Sequence, residues 1–221
     1  MPIRVLMNFT EFNGEKEDMD KFAFYALLDR TQYINRWALM RNSRYENIKE
    51  HSFDVAVIAQ SLALIHNRLV EQGKASVNVD PMLICAYGLF HDCTEIITGD
   101  MPTPIKYRND TLKNAYKEVE HEAAESLASQ LPDYMKDQYM SLLSPSYEGE
   151  EGQICKRLVK AADKISAYIK CIREKLAGNT EFDSAMATLK ETIDKIELPE
   201  VGIFMEEFIP SFGMTLDELN R

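Results

Sequence analysis

The sequence predicts an all-α fold, a compact single domain of about six to eight helices. Three observations carry this. Prolines fall at 2, 81, 102, 104, 132, 145, 199 and 210, and long segments with helically spaced apolar residues run between them. Capping residues bracket those segments. No stretch alternates apolar and polar residues over the length of a strand, and nothing repeats at a period of about 20–50 residues. With 221 residues, 45% hydrophobic and 28% charged, the chain suits one domain with a sizeable core.

Residues 1–17 read as an N-terminal extension and 18–221 as the domain. A first helix is expected over 18–29, with Phe22, Tyr25, Ala26 and Leu28. A connector over 34–41 follows, holding the single tryptophan, Trp37, with Arg36, Arg41 and Arg44 around it. The next helix starts at Asn47, an N-cap with an acid at Glu50, and ends at Gly73. His51, Val55, Ile58, Leu62, Ile65 and Leu69 share one of its faces. Asp80-Pro81 opens a helix that Gly99 stops, since proline is tolerated at the first helical position. Residues 99–104 form a stiff loop, because Pro102 and Pro104 fix φ and disfavour helix just before them. An amphipathic helix over 109–130, a short one over 133–143 and an acidic loop over 144–152 come next. A long helix over 153–176 ends at Gly178-Asn179. Helices over 181–196 and 200–209 and a tail with one short helix complete the chain. His121 and His66 are expected on solvated faces.

The net charge of −11 argues against binding a nucleic-acid polymer, which needs clustered Lys and Arg. Residues 1–10 lack a signal-peptide pattern, and the longest uncharged run, 55–67, is too short to span a bilayer. Cys85, Cys93, Cys155 and Cys171 form no CxxC pair and read as reduced core residues of a cytoplasmic protein.

The chemistry concentrates in Leu89-Phe90-His91-Asp92-Cys93-Thr94-Glu95. A polar trio at the end of an apolar segment needs a partner, since an unpaired buried carboxylate is costly. On a helix, His91 and Glu95 lie on one face with Asp92 beside them. His51 points where core residues point, and Asp163 has Val159, Ala162, Ser166 and Ala167 around it. The ordinary alternatives are a satisfied core histidine and an exposed helix acid; for Trp37 the alternative is a core plug among solvated arginines. Together His51, His91, Asp92 and Asp163 make an N2O2 set suited to a hard divalent ion. Asp100 and Thr103 give the neighbouring loop polar groups for a pocket wall, and Lys106 lies just beyond.

These residues resemble the HD-domain phosphohydrolases, named for an adjacent pair within a His…His-Asp…Asp pattern. Within that superfamily the chain is similar to the bacterial 5′-deoxynucleotidases of the YfbR-like family. The similarity rests on Asn35-Arg36-Trp37, Glu46-Asn47, Glu50-His51-Ser52, His91-Asp92, Glu95, Thr98-Gly99-Asp100, Pro102-Thr103-Pro104, Lys160-Ala161-Ala162-Asp163 and Phe208-Ile209-Pro210-Ser211-Phe212. The chain departs from the family in its longer N-terminal extension and in Cys93-Thr94 after the dyad. The resemblance implies an HD-domain helical bundle that hydrolyses deoxyribonucleoside 5′-monophosphates to deoxynucleoside and orthophosphate by attack of metal-bound water. It implies one divalent cation on His51, His91, Asp92 and Asp163: Co²⁺ or Mn²⁺, with Mg²⁺, Zn²⁺ or Fe²⁺ as alternatives. Glu95 is implied as general acid/base and Arg36 as the phosphate ligand. Trp37 is implied against the sugar, and Asp100, Met101, Pro102 and Thr103 on the nucleoside side, with Asp92 and Asp163 also touching substrate. A cytoplasmic homodimer is implied as well. The alternatives are a relative acting on a cyclic nucleotide or nucleoside triphosphate, and a non-catalytic helical binding module.

Overall fold

The protein is described by a computed structural model covering residues 22–101 and 109–220. The expected N-terminal extension, the start of the first expected helix, and Pro102, Thr103, Pro104 and Lys106 lie outside the described residues. Helix α1, Phe24–Asp29, runs into a 3₁₀ turn, Arg30–Tyr33. Helix α2 spans Ile48–Glu71, with the Asn47 side chain accepting from the Glu50 amide at 3.0 Å. Helix α3, Pro81–Phe90, is capped by Asp80, which accepts from the amides of Met82 and Leu83. Short α4 covers Glu95–Thr98, and α5, Asp110–Ser129, is capped by Asn109. Then come α6, Asp133–Leu143, and α7, Gly149–Leu176. The chain finishes with α8, Asp183–Asp194, α9, Pro199–Glu207, and α10, Leu216–Leu219. No strand occurs among the described residues; there is one isolated antiparallel bridge, Asn35 to Asn47.

Helix α2 packs against both α3 and α7, and α8 and α9 close the outer side of α2 and α7. Val55, Ile58, Leu62, Leu158, Ala161, Ile165 and Ile169 meet between α2 and α7, most with no more than 1% of their surface exposed. Each large aliphatic side chain so buried contributes about 1.5–3 kcal/mol. A second cluster, Phe24, Cys93, Leu127, Leu131 and Leu143, ties α1 to α5, α6 and the turn after α3. Helix α2 is long and apolar enough to cross a membrane by length and composition, yet its apolar stripe forms this core.

Three expectations are corrected. The helix begun at Pro81 does not run unbroken to Gly99: it stops at Phe90, turns through 91–94 and resumes at Glu95. The amides of Cys93, Glu95, Ile96 and Ile97 bond three residues back instead of four, so the chain winds tighter there. Residues 149–152 are not loop but the first turn of α7; Gly152 allows it, because a Cβ there would meet the Tyr147 backbone at 2.5 Å. His66 is buried rather than solvated. Its Nδ1 lies 2.5 Å from Glu200 Oε1, and its Nε2 lies 2.9 Å from the Val77 carbonyl oxygen, pinning α2 to α9 and to the 73–80 connector. His121 is exposed, as expected.

Candidate active site

Three elements deliver the polar cluster. His51 sits in the first turn of α2, His91 and Asp92 in the tight turn after α3, and Asp163 midway along α7. His51 Nε2 lies 3.3 Å from Asp163 Oδ1 and 3.6 Å from Asp92 Oδ2, and His91 Nε2 lies 3.0 Å from Asp92 Oδ2. Ligand atoms of His51, His91 and Asp92 fall within 4.8 Å of one another; Asp163 lies outside that trio and touches it at His51 Nε2. Both Nε2 atoms are buried without an aligned hydrogen-bond partner, although carboxylate oxygens are at hand. Leaving two such atoms unmade costs about 1–3 kcal/mol each. Two imidazoles and one carboxylate gathered at ion-binding range, with the Asp163 carboxylate beside His51, fit a divalent cation.

Each imidazole is aimed from behind. His91 Nδ1 donates to the Gly88 carbonyl at 2.7 Å, which presents Nε2 to the cluster. Gly88 is there because α3 crosses α2 so closely that a Cβ would meet Ala56 Cα at 2.8 Å. His51 Nδ1 has Ser166 Oγ at 3.0 Å and Arg36 Nη1 at 2.9 Å. A guanidinium only donates, so without an ion Nδ1 accepts and the ring proton sits on Nε2, facing Asp163 and Asp92.

Arg36 is held by the loop that the Asn35–Asn47 bridge closes, with the Arg36 amide on the Glu46 carbonyl at 2.9 Å. Its Nη1 pairs with Glu46 Oε1 at 3.0 Å, and its Nη2 approaches Asp163 Oδ1 at 3.9 Å. Burial opposes the charge of Arg36, but Glu46, Asp163, Asp92 and Asp100 together raise its pKa. Burial would also lift the Asp163 and Asp92 carboxyls; the imidazoles, with Lys164 beside Asp163, hold both well below the usual range. Burial likewise disfavours a charged His91, and Asp92 overrides it and raises the His91 pKa. The cluster is thus ionised and anionic.

Glu95 is 7% exposed, at the start of α4. Asp100 lies within electrostatic reach of Arg36, and Met101 is half-buried. Trp37, in the left-handed region at φ 57°, packs its ring edge-on against Phe182 at 5.4 Å, next along the chain from Arg36. Arg41 and Arg44 are exposed partners of Glu181 and Glu50. Buried Cys93 has its thiol pushed up to about 12, first by burial and then by Asp92 and Glu95, and packs in the second core cluster. Glu46, Ser166 and the Gly88 carbonyl were given no role from the sequence. Ser166 follows Asp163 by three residues, and that shared helix face was its available signal.

Residues 23–212 match the profile of the 5′-deoxynucleotidase YfbR-like family. Curated 5′-deoxynucleotidases of Yersinia pestis and Yersinia pseudotuberculosis are 44% identical over 197 residues, 89% of this chain and 96% of theirs. The chain belongs to the YfbR-like 5′-deoxynucleotidase family. Among solved structures, an HD-domain phosphohydrolase of Listeria innocua superposes on this YfbR-like chain with a TM-score of 0.68 at 23% identity, over 86% of this chain and 87% of that one. The cyanophage S-2L HD phosphohydrolase DatZ, solved with dA and one catalytic Zn²⁺, does so at 0.55 and 21%, over 86% and 96%. At these identities the likeness is one of fold: the YfbR-like chain has the all-α architecture of the HD-domain phosphohydrolases.

Proposed function

We propose that the protein hydrolyses deoxyribonucleoside 5′-monophosphates to deoxynucleoside and orthophosphate at the His51–His91–Asp92–Asp163 cluster. The observation that carries this is the meeting of two buried, unpartnered Nε2 atoms with two carboxylates beside a buried arginine. It occurs in a chain 44% identical to 5′-deoxynucleotidases along nearly their whole length. A divalent cation on the four side chains, Co²⁺ or Mn²⁺ in this reading, lowers the pKa of coordinated water and offsets phosphate charge.

The chain's own groups do the rest. To offer Nε2 as a ligand, His51 carries its proton on Nδ1 and donates it to Ser166 Oγ. Arg36 Nη1, itself a donor, then leaves Nδ1 and turns its fork to the phosphate oxygens, with Glu46 keeping its root in place. Glu95 takes the proton from the attacking water and returns it to the leaving 5′-oxygen. Trp37 lies against the sugar, and Asp100, Met101, Pro102 and Thr103 hold the nucleoside. Cytoplasmic operation accords with the four free cysteines. Pairing of two copies accords with Phe53, Val57 and Leu64 exposed on α2 beside Met82 and Leu89 of α3.

A panel of deoxy- and ribonucleoside 5′-phosphates, assayed with Co²⁺, Mn²⁺, Mg²⁺ and EDTA, tests the reading. Orthophosphate from dAMP with a divalent ion, abolished by EDTA, is expected, and Glu95→Ala lowers turnover by about 10²–10⁴ while still binding the ion. Pyrophosphate or tripolyphosphate released from triphosphates, with dAMP left intact, overturns it.

A further inference from the structure

Trp37 is held in a conformation that its residue type disfavours. Its φ of 57° lies in the left-handed region that bulky side chains seldom enter, and its indole Nε1 is buried without a hydrogen-bond partner. Both features cost free energy, so the surroundings must impose them, and strain of this kind gathers where a protein clamps a ligand. The loop backbone is tied down first. The Trp37 carbonyl accepts from the Met40 amide at 2.9 Å and from Asn42 Nδ2 at 3.2 Å, which closes a tight turn. Beyond that turn Glu174, 1% exposed, accepts from the Ser43 amide at 2.8 Å and the Arg44 amide at 3.3 Å, while Lys170 donates to the Arg44 carbonyl. Asn179 donates to the Arg41 carbonyl at 2.8 Å and to Glu174 at 2.7 Å. The indole is seated second. Phe182, also 1% exposed, meets it edge-on with ring centroids 5.4 Å apart, and Lys170 Nζ stands 5.4 Å from the Phe182 centroid. Asn179 accepts from the Glu181 amide at 3.1 Å, so the 3₁₀ turn Thr180–Phe182 and the loop that carries Trp37 are fastened to one residue.

We propose that Glu174 and Phe182 are positioning residues for this loop: they hold Trp37 in its left-handed conformation and so set the preference for deoxyribo- over ribonucleotides. The role rests on the hydrolytic reading, in which Trp37 lies against the sugar. Glu174 acts through the backbone of residues 43 and 44, and Phe182 acts on the indole ring, so the tryptophan is fixed from two directions. An apolar wall rejects an added hydroxyl only as far as it refuses to move. An indole free to swing would admit the 2′-hydroxyl, whereas one clamped at both its backbone and its ring excludes it.

Trp37 is the single tryptophan of the chain, so its emission reports on the loop directly. Phe182→Leu, and separately Glu174→Gln, should shift that emission to the red and open the indole to acrylamide quenching. In Mn²⁺-loaded Glu95→Ala protein, which binds nucleotide with little turnover, each should lower the dAMP-over-AMP affinity ratio by about ten-fold in calorimetric titration. In the active enzyme each should raise KM for dAMP, with kcat held within about two-fold and Mn²⁺ affinity unchanged. Leu131→Val, which thins the second core cluster, should lower the melting temperature and move neither the emission nor the ratio. Should Glu174→Gln fail to fold, Phe182→Leu decides alone. Unaltered emission, a shifted emission with the wild-type ratio, or a wild type that binds AMP as well as dAMP overturns the proposal. A wild type that binds dAMP and leaves it intact sinks the hydrolytic reading instead, and the affinity ratio still decides the positioning.

Discussion

The four candidate ligands show in the sequence because each is chemically out of place: two histidines and two aspartates interrupt apolar helix faces. Their supports do not show so readily. The carbonyl that aims His91 belongs to a glycine and has no side-chain letter, and Glu46 meets Arg36 and His51 only because a loop closes on itself. Ser166 is the support whose contribution can be isolated. Ser166→Ala removes the oxygen that faces His51 Nδ1 and should weaken divalent-ion affinity by about 10–100-fold without unfolding the chain. Calorimetry with Mn²⁺ reads the loss, and Ser166→Thr, which restores a hydroxyl, should recover most of it. Unchanged affinity in Ser166→Ala would mean that Glu46 alone orients the ring.

Helix starts were legible from caps: Asn47, Asp80 and Asn109 each accept from the amides that begin their helices. The interruption at 91–94 was not, since no proline or glycine marks the switch to three-residue bonding there. Gly88→Ala tests how closely the α2–α3 crossing governs the site. The added methyl would push α3 away from α2, costing about 1–3 kcal/mol in chemical denaturation and carrying His91 out of register. Near-normal stability with full metal binding would show the crossing to be compliant. A second element-level device is Glu174 at the end of α7. It accepts from the amides of Ser43 and Arg44, from Asn179 and from Lys170, fastening the loop that follows Trp37. Burial would raise its pKa, but those donors bring it from 4.5 down to about 2. A depressed carboxyl stabilises above its ordinary pKa and loses that contribution as pH falls toward the folded value. The melting-temperature gap between wild type and Glu174→Gln should therefore be widest near neutral pH and close progressively below about pH 4.5. A gap independent of pH would contradict this.

At the scale of the molecule, the all-α class followed from periodicity and proline placement. What periodicity could not supply was the meeting of α2, the turn after α3 and α7 at one vertex, because residues 51, 92 and 163 are far apart in sequence. That vertex should make the metal a stabiliser of the whole bundle: an ion bound only by the native state at one hundred times its dissociation constant adds about 2.7 kcal/mol. Melting with saturating Mn²⁺ should exceed melting in EDTA by several degrees, and Asp163→Ala should erase the difference. The vertex also has a consequence for electroneutrality. Asp92, Asp163, Glu46, Glu95 and Asp100 gather around the site, and among the described residues Arg36 and Lys164 are the cations seen beside them. With five carboxylates against two cations, a dication still leaves the sum negative, so an arriving phosphate dianion finds no surplus positive charge waiting for it there.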